Sequence, residues 1–283
     1  MKDLKKFLEK KSDKNKIIVI YPTACGKTDL SIKIAKFLNS EIISTDSRQI
    51  FKLDITGKVT EEEKEIIHHM IDIIEPNQEY SVEFKKEAEK IIKNIFKKEI
   101  PILCGTLYID SLIYDFKIPK VPADPILREK LEDERIKFNE FIWKKLQEID
   151  PDYASELHPN NYRYVIRALE VKILTKSKKE FREEKNLKYD TFFITPYDNR
   201  EKLYEKIDLR IKSMFENLLE EVRNLLTKYK ETDFMQTIYK EIIDFFDKLN
   251  FDDCVALVQK HNRNYAKRQL TWFRKYKKKL ENF

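Results

Sequence analysis

Short apolar runs alternate along this chain with stretches whose apolar side chains recur at helical spacing. Lys16-Ile17-Ile18-Val19-Ile20 reads as a buried strand, and Leu30, Ile34, Phe37 and Leu38 then fall on one helical face. Glu41-Ile42-Ile43-Ser44 is a second strand. Ile100-Pro101-Ile102-Leu103-Cys104 is a third, with Pro101 at its start because proline cannot donate to a sheet ladder. Thr191-Phe192-Phe193-Ile194-Thr195 is a fourth. Ser81 is placed to cap a helix whose face is Phe84, Ala88, Ile91, Ile92 and Ile95. Strand–helix alternation of this kind predicts a parallel sheet covered by helices on both faces.

From 117 to 188 the pattern changes. Pro119, Pro122 and Pro125 interrupt the chain, and charged helical segments follow without a strand. We expect an α/β core formed by residues 1–116 and 189–283, with an all-helical insertion over 117–188. Past 198 the chain is again helical, with Leu203, Ile207, Ile211 and Met214 on one stripe. The final helix ends in the basic run Arg274-Lys275-Tyr276-Lys277-Lys278-Lys279. Such a run is as well explained by a solvated helix end as by a phosphate footprint.

Composition narrows the classes. The 283 residues are 41% hydrophobic, enough for a packed core, and 37% charged. The longest apolar run, Ile17 to Ile20, is too short to span a membrane, and the charged N-terminus lacks the apolar stretch of a secretory signal. A soluble, cytoplasmic monomer is the expectation. Cys25, Cys104 and Cys254 lie far apart without a CxxC pair, which argues against a zinc site and a disulfide framework. A net charge of +6 with a pI of 8.8 permits nucleic-acid binding without demanding it.

The chemistry starts after the first strand. Tyr21-Pro22-Thr23-Ala24-Cys25-Gly26-Lys27-Thr28 carries the second half of the G-x-x-x-x-G-K-[ST] phosphate loop, between a strand and a helix. Backbone amides of Pro22–Thr28 and the helix N-terminus would face an anion, although Pro22 itself has no N–H. Lys27 supplies a point charge, and the Thr28 hydroxyl is suited to Mg²⁺. The bare loop does not distinguish a nucleotide from another diphosphate, and Tyr21 stands where the pattern has its first glycine.

Further motifs follow in order. They are Ser44-Thr45-Asp46-Ser47-Arg48-Gln49, Thr56-Gly57-Lys58, His68-His69-Met70-Ile71-Asp72, Cys104-Gly105-Thr106-Leu107-Tyr108 and Arg163-Tyr164-Val165-Ile166-Arg167-Ala168-Leu169-Glu170. Met235-Gln236-Thr237-Ile238-Tyr239-Lys240-Glu241 and Ala266-Lys267-Arg268-Gln269-Leu270-Thr271-Trp272-Phe273-Arg274 come last. This ordered set, from about 17 to 275, resembles the tRNA dimethylallyltransferase family.

The resemblance implies a P-loop fold holding the diphosphate of dimethylallyl diphosphate, with Mg²⁺ assisting its departure. The acceptor would be the exocyclic amine of the adenosine beside the anticodon of tRNA. Asp46 matches the family's general base. The amine is a poor nucleophile, so a carboxylate placed to take its proton has a clear purpose. The plainer alternative is that Asp46 merely caps the segment after its strand. Asp46, Ser47, Arg48 and Gln49 match a tRNA-contacting stretch, in which Gln49 suits an adenine edge. Thr106, Arg128 and Arg163-Tyr164-Val165-Ile166-Arg167 match further tRNA contacts; Arg163 and Arg167 could equally be a solvated helix face. His68 and His69, in apolar surroundings, read as structural.

Glycine is scarce. The chain has three, Gly26, Gly57 and Gly105, where average usage would give roughly 20. The family pattern has glycine before Pro22, between Thr106 and Leu107, between Ile238 and Tyr239, and beside Asn217-Leu218; each time the neighbours are present and the glycine is not. Loss confined to one residue type predicts that the native protein carries these glycines, inserted at a codon reassigned to glycine. Genuine deletion is the alternative, and would leave a catalytically impaired tRNA-binding relative. A P-loop small-molecule kinase explains residues 17–28 but not the later motifs. A transferase acting on free adenine nucleotides leaves the helical insertion unexplained.

Overall fold

The computed structural model describes residues 2–21, 26–53, 55, 64–78, 80, 82–106, 108–114, 121, 124–137, 141–175, 186–196, 199–230, 238–248 and 250–280. Pro22, Thr23, Ala24, Cys25, Gly57, Ser81, Leu107 and Met235–Thr237 lie outside the described residues.

Four strands form where apolar runs predict them: β1 (Lys16–Ile20), β2 (Ile42–Thr45), β4 (Ile102–Gly105) and β5 (Asp190–Ile194). Pro101 falls just before β4, where its missing N–H costs no ladder bond. A two-residue strand, β3 (His68–His69), was not legible in the sequence; it is too short to show a period of two. The sheet is parallel throughout, in the order β3-β2-β4-β1-β5, with Ile18 opposite both Ile102 and Phe192.

Both faces of this sheet are covered, so the central strand β1 is apolar without alternation. Ile17, Val19, Ile43 and Leu103 pack on one side with α3 (Val82–Ile95) and α4 (Ile109–Ile113). Ile18, Ile20, Ile42 and Ile102 pack on the other with α1 (Lys2–Glu9) and α2 (Lys27–Leu38). Each such fully buried side chain contributes about 1.5–3 kcal/mol. The chain runs from β1 outward to β2 and β3, returns through β4, and reaches β5 on the far side of β1. The carboxyl ends of β2, β4 and β1 therefore lie side by side at the point where strand order reverses, the place where open α/β sheets bind ligands.

The chain divides into two compact units, Met1–Asp115 with Asn186–Phe283, and Phe116–Lys185. In the smaller unit, α5 (Pro125–Lys137), α6 (Phe141–Ile149), α7 (Pro151–Glu156) and α8 (Tyr162–Thr175) enclose a core around Leu131, Leu146, Val165 and Leu169. In the larger unit, α9 (Arg200–Lys228), α10 (Ile238–Lys248) and α11 (Phe251–Leu280) bury a second cluster. Leu203, Ile207 and Ile211 of the predicted stripe are buried there, with Met214 packed at its margin. Among the described residues no helix is long and apolar enough to cross a membrane.

Candidate functional site

A cavity of about 680 Å³ opens beyond the carboxyl ends of the central strands. Gly26, Lys27 and Thr28 form one wall, Asp46, Arg48 and Gln49 a second, and residues of α9 and α11 close it.

The first wall follows from a glycine. Gly26 is the N-cap of α2 with φ 84° and ψ 30°, a left-handed conformation that side chains disfavour, and no side chain caps the helix. The first-turn amides are thus left for a ligand, with Lys27 and Thr28 half-buried at the cavity. Tyr21, in the position of the pattern's first glycine, does not line the cavity. It is buried, with its ring stacked on Phe273 at 3.7 Å and 16°.

The second wall is the turn after β2. Asp46 Oδ1 accepts a hydrogen bond from the Arg48 amide at 3.0 Å, which fixes the turn. Asp46 is only 8% exposed and lines the cavity, and among the described residues Oδ2 has no hydrogen-bond partner. The cap and the base are therefore compatible, one for each oxygen. Ser44 Oγ donates to Gln49 Oε1 at 2.9 Å, which leaves the Gln49 NH₂ as the end able to meet a ligand. Burial pulls the Arg48 guanidinium below its ordinary value, opposed by Tyr265, Asp46 and Tyr108. Its Nε is buried without a partner among the described residues.

Thr106 is buried and does not itself line the cavity. Its Oγ1 accepts from Gln269 Nε2 at 3.1 Å, and this pair lies beside the Tyr265 phenol. Burial and the Asp46 carboxylate push that phenol up, against the pull of Thr106 and Gln269. The phenol therefore keeps its proton at neutral pH.

Sequence reasoning missed Lys206 and Arg210 of α9 and gave no role to Tyr265 and Arg268 of α11, all of which line the cavity. The signal was present: Lys206 and Arg210, one turn apart, flank the apolar stripe of α9 and share its face. With Lys27 and Arg48, these place five cationic side chains around the cavity against two carboxylates, Asp46 and Glu241. Ile207, Ile211 and Met214 add an apolar strip. His69 pairs with Glu41 at 2.6 Å; His68 is held by the Ile66 carbonyl at 2.9 Å and also reaches the cavity. Among the described residues no cluster of three or more His, Cys, Asp or Glu is arranged to hold a metal. Ser47, half-buried in the Asp46 turn, is not a lining residue.

The smaller unit carries the remaining predicted residues. Arg163 and Tyr164 are exposed at the start of α8, whereas Val165 and Ile166 turn into that unit's core. Arg128 grips the fully buried Glu170 with two hydrogen bonds of 2.9 Å. Arg167 also pairs with Glu170 and donates to the Val121 carbonyl at 2.8 Å. Burial would raise the Glu170 carboxyl, but Arg128, the Asp124 amide and Arg167 together outweigh it and hold it below its ordinary value.

A family model described as IPP transferase matches residues 51–276. A tRNA dimethylallyltransferase of Alkaliphilus oremlandii is 44% identical over 279 residues, covering 93% of this chain and 89% of that protein. One from Bacillus cereus is 44% identical over 272 residues, covering 91% and 86%. Among solved structures, the full-length tRNA isopentenylpyrophosphate transferase of Bacillus halodurans aligns with a TM-score of 0.65 at 36% identity, over 93% of this chain and 87% of that one. A eukaryotic dimethylallyltransferase acting on tRNA aligns with a TM-score of 0.74 at 28% identity, over 92% and 70%.

Proposed function

Because the chain belongs to the IPP transferase family of tRNA dimethylallyltransferases, we infer that it transfers a dimethylallyl group from dimethylallyl diphosphate to the exocyclic amine of the adenosine next to the anticodon of tRNA. The observation that carries this reading is the Asp46 carboxylate, with one oxygen spent on its turn and the other open to a cavity walled by Lys27 and Thr28.

The amine nitrogen forms a bond to C1 of the dimethylallyl group while the C1–O bond breaks, its electron pair leaving with the diphosphate. The amine proton passes to Asp46 Oδ2. Lys27, the amides at the start of α2, and Lys206 and Arg210 surround the departing anion, where fixed positive charge acts most strongly as negative charge develops. Pro22, Thr23, Ala24 and Cys25 would complete the cradle. Ile207, Ile211 and Met214 suit the hydrocarbon.

Mg²⁺ bound to the diphosphate would neutralise its charge as it leaves. The residues fit such an ion: Mg²⁺ keeps several waters and needs few protein ligands, and the Thr28 hydroxyl beside Lys27 is a suitable one. For tRNA, Gln49 is suited to the adenine, and Arg163 and Tyr164 to phosphate and an unpaired base. Arg128 and Arg167 serve first as the clasp around Glu170 and offer tRNA only their exposed edges.

The test is transfer of labelled dimethylallyl from its diphosphate to unmodified tRNA with Mg²⁺, beside Asp46→Ala. Label on adenosine that disappears in the variant supports the reading. ATP-dependent phosphoryl transfer without label on tRNA would replace it with a kinase.

A further inference from the structure

Adenine poses a problem of choice. The exocyclic amine lends its lone pair to the ring, so ring nitrogen N1 beside it is intrinsically the better nucleophile toward an allylic cation equivalent. An enzyme that alkylates the amine must hold N1 away from the donor or occupy its lone pair. Asp46 accepts a proton from the amine and cannot do this.

Tyr265 is placed for it. A phenol has two acceptor lone pairs and one O–H. Thr106 and Gln269, joined to each other by a hydrogen bond of 3.1 Å, lie beside the phenol and favour its charged form. Among the described residues the O–H has no acceptor, so it is left for a ligand. The side chain nevertheless lines the cavity with Asp46 and Gln49. The two elements approach from different walls: Gln49 from the turn after β2, its NH₂ free toward the Hoogsteen edge, and Tyr265 from α11.

We propose that the Tyr265 hydroxyl donates to N1 of the acceptor adenine, so that it orients the base with its amine at Asp46 and blocks alkylation at N1. Tyr265 is thus a specificity-determining contact. This rests on the dimethylallyl-transfer reading above.

The experiment uses the full chain, dimethylallyl diphosphate, Mg²⁺ and an anticodon stem-loop carrying either adenosine or 1-deazaadenosine at the acceptor position, with products resolved by site of attachment at neutral pH. Wild type should give only the N6 product on adenosine. Tyr265→Phe keeps the ring and its packing; it should raise KM for the stem-loop by up to about tenfold, the weight of one hydrogen bond, and release N1 product. On 1-deazaadenosine, which has no N1 acceptor, wild type should weaken by a similar factor and Tyr265→Phe should weaken it no further. An unchanged KM and exclusive N6 product from Tyr265→Phe would overturn the proposal, as would additive losses on 1-deazaadenosine. Wild type that labels neither substrate would remove the underlying reading, and this inference with it.

Discussion

Gly105 brings the end of β4 so close to Asp46 that a Cβ on Gly105 would lie 2.7 Å from the Asp46 nitrogen and 2.5 Å from Thr45 Oγ1. Its φ of 149° is also one that side chains rarely adopt. Backbone atoms on the Asp46 side cannot yield without moving the carboxylate. Gly105→Ala should therefore lower the melting temperature, with a strain cost of about 1–3 kcal/mol, and depress kcat beyond what the lost stability explains. Unchanged activity at a temperature where the variant is fully folded would show that the approach does not set the Asp46 geometry.

Asp46→Asn separates the two uses of this carboxylate. The amide oxygen can still accept from the Arg48 N–H, so the turn and the melting temperature should persist. The base is lost, and kcat should fall by roughly 10²–10⁴. Circular dichroism and single-turnover labelling read the two effects independently.

Lys206→Ala and Arg210→Ala should each raise KM for the diphosphate donor by about tenfold or more, as expected for removing a charge-assisted contact to a phosphate. KM for tRNA should move far less. Equal effects on both substrates would place these side chains at the tRNA instead.

Glu170 makes the helical unit sensitive to acid. Its folded pKa lies below the ordinary value of 4.5, so its ionised form stabilises the fold above that value, and this contribution is lost as pH falls through the lower, folded value. Glu170→Gln should cost about 2–3 kcal/mol, less than a fully buried pair because both arginines are partly exposed, and should flatten the acid limb of the stability profile. Urea titrations between pH 3 and pH 7, on the order of one per unit, check the sign.

The glycine deficit has its own consequence. If glycines stand at the four places where the family has them, the intact native protein is heavier than 34.2 kDa by four glycine residues. A mass equal to 34.2 kDa would make the deletions real.

The sequence by itself determined the sheet and the family. The isoleucine-rich run Lys16–Ile20 cannot be solvated at acceptable cost and becomes a buried parallel strand, and Gly26-Lys27-Thr28 between strand and helix marks a candidate anion site from local geometry alone. Lys206 and Arg210 were visible as charges but not as cavity walls, because a charged residue beside an apolar stripe usually faces water. Only tertiary packing decided otherwise, by laying α9 and α11 over the strand ends. Gln269 and Thr106, 163 positions apart, meet for the same reason: a hydrogen bond between distant segments leaves no periodic trace in either of them. Arg128 and Arg167 show the converse. The family resemblance suggested tRNA contacts for both, and the fold adds a second role that the sequence did not reveal: both pair with Glu170, because a buried carboxylate is tolerated only when it is paired.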